Sequence, residues 1–241
     1  MIKFFRKIRQ NLLSEGKTGR YLKYAVGEII LVVIGILIAL QVSNWNKKRI
    51  DSGSEKEALF DLNTEIKSNI KALEIIIAEH EKSLVAGKEI KSMITDTNKL
   101  NSISNDSLKT ILIIMNYNFT YDPKLGILNS VINSGRINLI QNKEIRYMLS
   151  SINEFIIDAN EDTKVIEKLR GEYYWPMIAS KREIIDYNML SRDNKKSFRN
   201  PEFVFWVDFI TSVRQSGLEE ESDLLEFLKK VNIAIESEIK K

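Results

Sequence analysis

The chain carries one histidine, His80, set between Glu79 and Glu81. Imidazole is the usual general base and a frequent metal ligand near neutral pH. Neither role finds its partners here. With no cysteine among 241 residues, a zinc site on His80 would need three carboxylates, and thiolate catalysis and disulfides are excluded. No nucleophile elbow, His-Glu-x-x-His pair, Gly-rich phosphate loop, Rossmann fingerprint or EF-hand loop occurs. His80 also falls on the inner stripe of a long helical pattern. A hydrogen-bonded core histidine is the simpler reading. The sequence predicts a protein that is not an enzyme and uses neither metal nor cofactor.

Glu28 is the second group whose position matters, because it sits inside the apolar run YAVGEIILVVIGILIALQVSNW, Tyr24 to Trp45. An ionisable group there is either an ion path or partner contact or an interfacial carboxylate. In the second case it reaches the headgroups and pairs with Lys23 or Arg20. Gly27, Gly35, Ala39 and Ser43 recur in the same run at multiples of four. Such spacing lets helix backbones approach closely, so a homo-oligomer or a membrane protein partner is expected.

Two aromatic clusters complete the candidates. Tyr173, Tyr174 and Trp175 precede Pro176, and Phe203, Phe205, Trp206 and Phe209 come after Pro201. Core packing accounts for such residues in a small domain. The functional alternative is a ligand pocket lined by Tyr174, Trp175, Phe205 and Trp206. Asn118-Phe119-Thr120 and Asn105-Asp106-Ser107 match the glycosylation sequon, a pattern chance supplies often.

The elements that must position these groups start with the apolar run itself. Twenty residues from Tyr24 to Ser43 rise about 30 Å as a helix, the thickness of a bilayer's hydrocarbon core. Tyr24 and Trp45 stand where interfacial aromatic anchors belong. A long leading segment, a long apolar run and no small-x-small site after Leu40 predict an uncleaved signal anchor. Seven Lys/Arg precede the span, and Lys47, Lys48 and Arg49 lie just beyond it. That bias predicts a cytoplasmic N-terminus and an outer C-terminal domain. The first fifty residues hold ten Lys/Arg against Glu15 and Glu28, whereas beyond them acids outnumber bases 31 to 26. The basic character belongs to the anchor, so nucleic-acid binding is not expected.

The chain therefore reads as three regions: a basic amphipathic cytoplasmic segment 1–20, a transmembrane anchor 21–46 and an all-helical domain 51–241. In the first, residues 2–13 suit the headgroup layer of a lipid bilayer, and Ser14 to Gly19 reads as a turn. Ile50 to Ser54 reads as a polar joint, with Ser54 and Glu57 capping a helix to Thr95. Its stripe is Leu59, Leu62, Ile66, Ile70, Leu73, Ile77, His80, Leu84, Gly87 and Ile94. Residues 96–106 read as a loop. Asn105 or Asp106 should cap a short helix, Asp122 and Pro123 should open another, and Gly135 should end it left-handed. Asn142 starts a second long helix that Pro176 interrupts. Residues 188–200 read as a loop. Pro201 opens a helix, and Ser216-Gly217 separates it from the last one. The fold class is all-α: one membrane helix and an elongated antiparallel bundle.

The opening MIKFFRKIRQNLL, the block YLKYAVGEIILVVIGILIALQVSNWNKKR and LNSVINSGRINLIQNKEIRYMLSSI (Leu128 to Ile152) carry a resemblance. They resemble an uncharacterised bacterial family of membrane-anchored proteins, domain of unknown function 6090. Its most distinctive part is Gly27-Glu28 inside the span with Asn44-Trp45-Asn46 after it. The resemblance implies a bacterial inner-membrane setting and carries over no catalytic residue. The function expected is a non-enzymatic interaction or scaffolding module. The alternatives are a ligand-sensing domain that signals through a membrane partner, and an ion-coupled accessory subunit that uses Glu28.

Overall fold

The structure is a computed structural model that describes residues 18–180 and 198–241. The surface helix read at 2–13 and most of the loop read at 188–200 fall outside those residues. Every regular element among the described residues is helical, as an all-α fold requires. The chain divides into two units, Met1–Glu55 and Lys56–Lys241.

Helix α1 runs unbroken from Thr18 to Thr95. Thr18 and Gly19 are helical, so the predicted turn does not extend to them. The joint expected at Ile50–Ser54 is helical too, and Ser54 and Glu57 cap nothing. The stretch holds no proline, and Gly53 costs only about 1 kcal/mol relative to alanine in a helix. Ending and restarting the helix would strand four carbonyls and four N–H groups. In the first unit the large apolar side chains from Ile29 to Leu40 are all exposed. This is the one helix among the described residues long and apolar enough to cross a membrane.

In the second unit the α1 stripe is partly as predicted. Leu59, Leu62, Ile66, Leu73, His80 and Gly87 are buried, while Ile70, Ile77, Leu84 and Ile94 are half-buried. Asn69, Ser83, Ala86, Ile90 and Met93 are buried as well. The interval 96–106 is not all loop. Asp96 caps α2 (Thr97–Ser102), accepting the N–H groups of Asn98 and Lys99. Ser104, not Asn105 or Asp106, caps α3 (Asn105–Met115).

Helix α4 spans Gly126–Asn133 and starts three residues after Pro123. Asp122 does not cap it. The carboxylate of Glu65, from α1, accepts the N–H groups of Ile127 at 2.8 Å and Leu128 at 2.9 Å. A long-range acid does there what a local cap would do. Gly135 comes next at φ 73°, left-handed as predicted. Asn142 caps α5 (Lys143–Ala159), where the second long helix was expected to start. Asn160 breaks the chain into α6 (Glu161–Leu169), and a π-helical turn at Arg170–Tyr174 leads into α7 (Trp175–Ser180).

Helix α8 runs from Pro201 to Ile239 with Asn200 as its cap. Ser216-Gly217 does not divide it. Gly217 is there for proximity: a Cβ on it would lie 3.1 Å from the Cβ of Asp162 in α6. Gly87 does the same between α1 and α8, where a Cβ would lie 2.5 Å from Thr211 Oγ1.

The apolar side chains form two cores. One joins Leu59 to Leu73 of α1 with α4, α5 and Leu224 to Ile235 of α8. The other joins Ala86 to Met93 of α1 with α3, Ile166, Tyr174 and Phe203 to Ile210 of α8.

Gly87→Ala is a direct probe of the α1–α8 contact. Alanine gains about 1 kcal/mol of helix propensity, but its methyl meets Thr211, and overpacking costs about 1–3 kcal/mol. Melting temperature should fall for Gly87→Ala in the parent and rise when Thr211→Ala has cleared the space. Equal effects in the two backgrounds would show that the glycine is not there for proximity.

Candidate functional site

Along both α1 and α8, buried polar side chains fall between the two apolar cores. They are His80 and Ser83 on α1 and Thr211, Arg214 and Glu221 on α8. Asn160 and Thr163, at the start of α6, are buried with them. His80, Arg214 and Asn160 bond directly to the non-helical connector from Asn116 to Leu125, and Ser83 bonds the residue just before it. A backbone buried without a helix or sheet must still pair its polar groups.

The pairing is explicit. Ser83 donates to the Met115 carbonyl at 2.8 Å, and Arg170 donates to the Asn116 carbonyl at 2.6 Å. Arg214 Nη2 donates to the Tyr117 carbonyl at 3.1 Å and to Asn118 Oδ1 at 2.5 Å. The Phe119 N–H donates to His80 Nε2 at 3.0 Å. The Asn160 side-chain amide accepts from Tyr121 N–H and donates to the Tyr121 carbonyl. Asn69 treats Lys124 in the same two-way fashion. Asn118, the first sequon residue, spends its amide on Thr163 and Arg214.

His80 is thereby defined chemically. A backbone N–H can only donate, so Nε2 must present its lone pair to Phe119. The ring is then neutral with its proton on Nδ1, which donates to Glu221 Oε1 at 2.7 Å. His80 is fully buried, and both nitrogens are engaged. It is the hydrogen-bonded core residue predicted, and neither nitrogen is available as a base. Among the described residues no group of three His, Cys, Asp or Glu is placed to hold a metal ion.

The surrounding charges feel the burial. Desolvation pulls the Arg214 guanidinium down to about 10, with Glu221 pulling it back up and Arg170 adding to the fall. It stays charged at neutral pH. Burial also pushes the Asp162 carboxyl up, and it pushes Glu220 up to about 7. At Glu220 the neighbouring acids Asp162, Asp158, Glu161 and Glu221 add to the rise. The polar layer carries a sequence signal: Arg214 and Glu221 are two charges seven apart on the buried stripe of α8.

The second feature is a cavity of about 840 Å³ lined by the π turn and the start of α8. Trp175 N–H bonds the Arg170 carbonyl, five residues back. Pro176 comes directly after it, and the wider turn is where the helix absorbs its missing donor. The inserted residue rotates all later side chains of the helix by about 100° around its axis. Tyr174 and Trp206 line the cavity and are themselves buried, with their rings stacked at 4.8 Å. Asn116 holds the polar end of each: it accepts the Trp206 indole N–H and donates to the Tyr174 hydroxyl.

Tyr173 and Phe205, both exposed, and Phe209 also line the cavity, as do Glu172 and Glu202. Tyr174, Phe205 and Trp206 are thus brought together as the pocket alternative required. Trp175 is not among the lining residues. Its ring lies against Tyr174 at 5.3 Å and is half exposed. The two glutamates carry no distinctive sequence signal, because isolated acids at helix starts look like ordinary dipole partners.

The span candidates lie on α1. Glu28 is half-exposed, Tyr24 falls within the helix, and Trp45 is exposed. Nothing lies within 4 Å of a Cβ built on Gly27 or Gly35. At 3.6 residues per turn, each step of four drifts by about 40°. Gly35, Ala39 and Ser43 therefore spread over about 80° of the helix surface, and Gly27 lies about a further 80° beyond Gly35.

Residues 28–159 match the family described as "Family of unknown function (DUF6090)", more than half of the chain, and the chain belongs to that family. The match takes in the Leu128–Ile152 block and most of the apolar run. The opening block and the cavity residues lie outside it. No curated protein and no solved structure matches the chain.

Two measurements check the polar layer. The ¹⁵N shifts of the single imidazole should report an Nδ1–H neutral ring. His80→Leu, which strands Glu221 and the Phe119 N–H, should cost about 3–5 kcal/mol of stability. For Glu220, the folded state holds a proton between its ordinary value of 4.5 and about 7 that the unfolded state releases. Stability contributed in this way is full below that window and lost as pH rises through it. Glu220→Gln should raise the melting temperature at pH 8 and flatten its decline across the window. An unchanged pH profile would remove the buried-acid account.

Proposed function

We propose that this member of the DUF6090 family is a membrane-anchored, non-enzymatic helical domain that binds a small ligand in the cavity beside Tyr174 and Trp206. The cavity carries the reading. Its volume of about 840 Å³ falls in the range of small-molecule sites, about 300–1,000 Å³. A scaffolding module has no use for an open aromatic cavity in its second core. The π turn that shapes it is the kind of local irregularity that recurs at functional sites.

The anchor is supported by the first unit. Ten large apolar side chains from Ile29 to Leu40 are exposed, a cost that lipid removes. Seven cations before the span against three after it favour a cytoplasmic N-terminus in a bacterial plasma membrane. Ligand occupancy would then be passed on by a membrane partner. Catalysis has no support from the one histidine, whose nitrogens are both engaged.

The full chain should resist alkaline extraction from membranes. In maltoside micelles, a panel of small neutral, cationic and anionic apolar compounds should contain at least one class that raises its melting temperature. Leu169→Trp, which fills the cavity, should keep the fold and lose that response. A panel with no stabilising member would sink the ligand-binding reading.

A further inference from the structure

We propose that the contact between α6 and α8 is a pH-operated latch. It is docked while the carboxyl cluster around Asp162 and Glu220 keeps one proton, and it is released when that proton leaves. The proposal is independent of what the cavity binds.

The geometry begins at Gly217, whose missing Cβ lets Asp162 sit against the α8 backbone. One oxygen each of Asp162, Glu220 and Glu221 is buried there with no hydrogen-bond partner. A carboxylate oxygen that has lost water and gained no donor is costly as an anion. A proton removes one charge from the cluster and supplies a donor. The acids come from each helix that meets at this point. Glu220 faces Asp158 of α5, Glu161 and Asp162 of α6, and Glu221 beside it on α8. Glu221 is buried, and its other oxygen accepts from neutral His80 of α1. The cation set against Asp162 is Arg214. Its Nη2 is committed to the connector, and Arg170 of the π turn opposes its charge. Burial and the surrounding acids raise the Glu220 carboxyl to about 7, so the proton leaves near neutrality. Docking that depends on it is full at low pH and lost as pH rises through about 7.

Helix α6 is the element that such a charge can move. It has nine residues, of which Thr163 and Ile166 are buried. One buried isoleucine is a small share of the packing in the two cores, so α6 is held lightly. Asn160 breaks the chain before it, and the π turn follows it. It can therefore leave α8 while α5 stays. Elements with few buried apolar contacts are the ones that open locally. Release would reach the connector, because Asn160 pairs both backbone groups of Tyr121 and the Thr163 carbonyl accepts the Asn118 amide.

The chain has no cysteine, so a single introduced thiol reports the opening of one site. Thr163→Cys places it on the buried face of α6, and Ser83→Cys places a control on the buried face of α1. Maleimide labelling of the full chain in maltoside micelles is followed at pH 6 and pH 8, with rates divided by those of a free thiol peptide. The corrected rate at position 163 should rise about tenfold between the two, as a carboxyl moved from 4.5 to about 7 dictates. Position 83 should stay protected at both. Glu220→Gln should abolish the rise, Asp162→Asn should shrink it, and Glu219→Gln, at an exposed acid next to Glu220, should leave it unchanged. A corrected rate that does not rise overturns the latch, because Glu220 then sheds its proton by turning to solvent. An equal rise at position 83 overturns it too, since the whole domain is then opening. So does a rise that survives both Glu220→Gln and Asp162→Asn.

Discussion

A stretch of backbone that is neither helix nor sheet links α3 to α4, half-buried at Asn116 to Asn118 and buried at Tyr121, and the polar groups it turns inward cannot be left unpaired. The connector from Asn116 to Leu125 meets that demand by recruiting side chains from helices far away in sequence. His80 comes from α1, Asn160 from the start of α6, and Arg214 from α8, while Ser83 of α1 holds the Met115 carbonyl just before the connector. Much of the local design is a consequence. His80 must be neutral at Nε2, so Glu221 is needed at Nδ1. Arg214 must be buried to reach the Tyr117 carbonyl, so its charge is held next to Glu221. Two apolar cores form, one on each side of this layer along α1 and α8.

The same connector links the polar layer to the cavity. Asn116, its first residue, offers its carbonyl to Arg170 and its side chain to Tyr174 and Trp206. The residue that starts the irregular backbone thus also orients the rings that line the cavity. A change in cavity occupancy would be felt first by Asn116 and then by the connector that His80 and Arg214 hold. The contacts are contiguous, which is the physical minimum for coupling.

Close approach of the helices is set by absent side chains. Gly87 and Gly217 lie on long helices, where glycine costs stability. Each admits a neighbour, Thr211 or Asp162, that a Cβ would crowd. Read along the chain, Ser216-Gly217 looks like a break between helices. The rest of α8 continues its apolar stripe on both sides, and the backbone hydrogen bonds outweigh one glycine. The joint read at Ile50–Ser54 is overturned by the same reasoning.

Patterns that depend only on local spacing were legible in the sequence. They include the helical class, the apolar run, the helix starts at Asn142 and Pro201, the left-handed Gly135 and most of the α1 stripe. Each rests on a period or on a turn residue, and neither depends on a distant partner. The position of His80 on a buried face was legible for the same reason. Its partner was not, because Glu221 is 141 residues away and nothing local links the two. The cap of α4 was hidden likewise, since Glu65 supplies it from another helix. The aromatic clusters were visible as composition. Only the tertiary structure decided that Tyr174, Phe205 and Trp206 share a cavity with Glu172 and Glu202 and that Trp175 does not line it. That outcome depends on a one-residue π insertion before Pro176, and such an insertion costs little locally while it rotates every side chain after it.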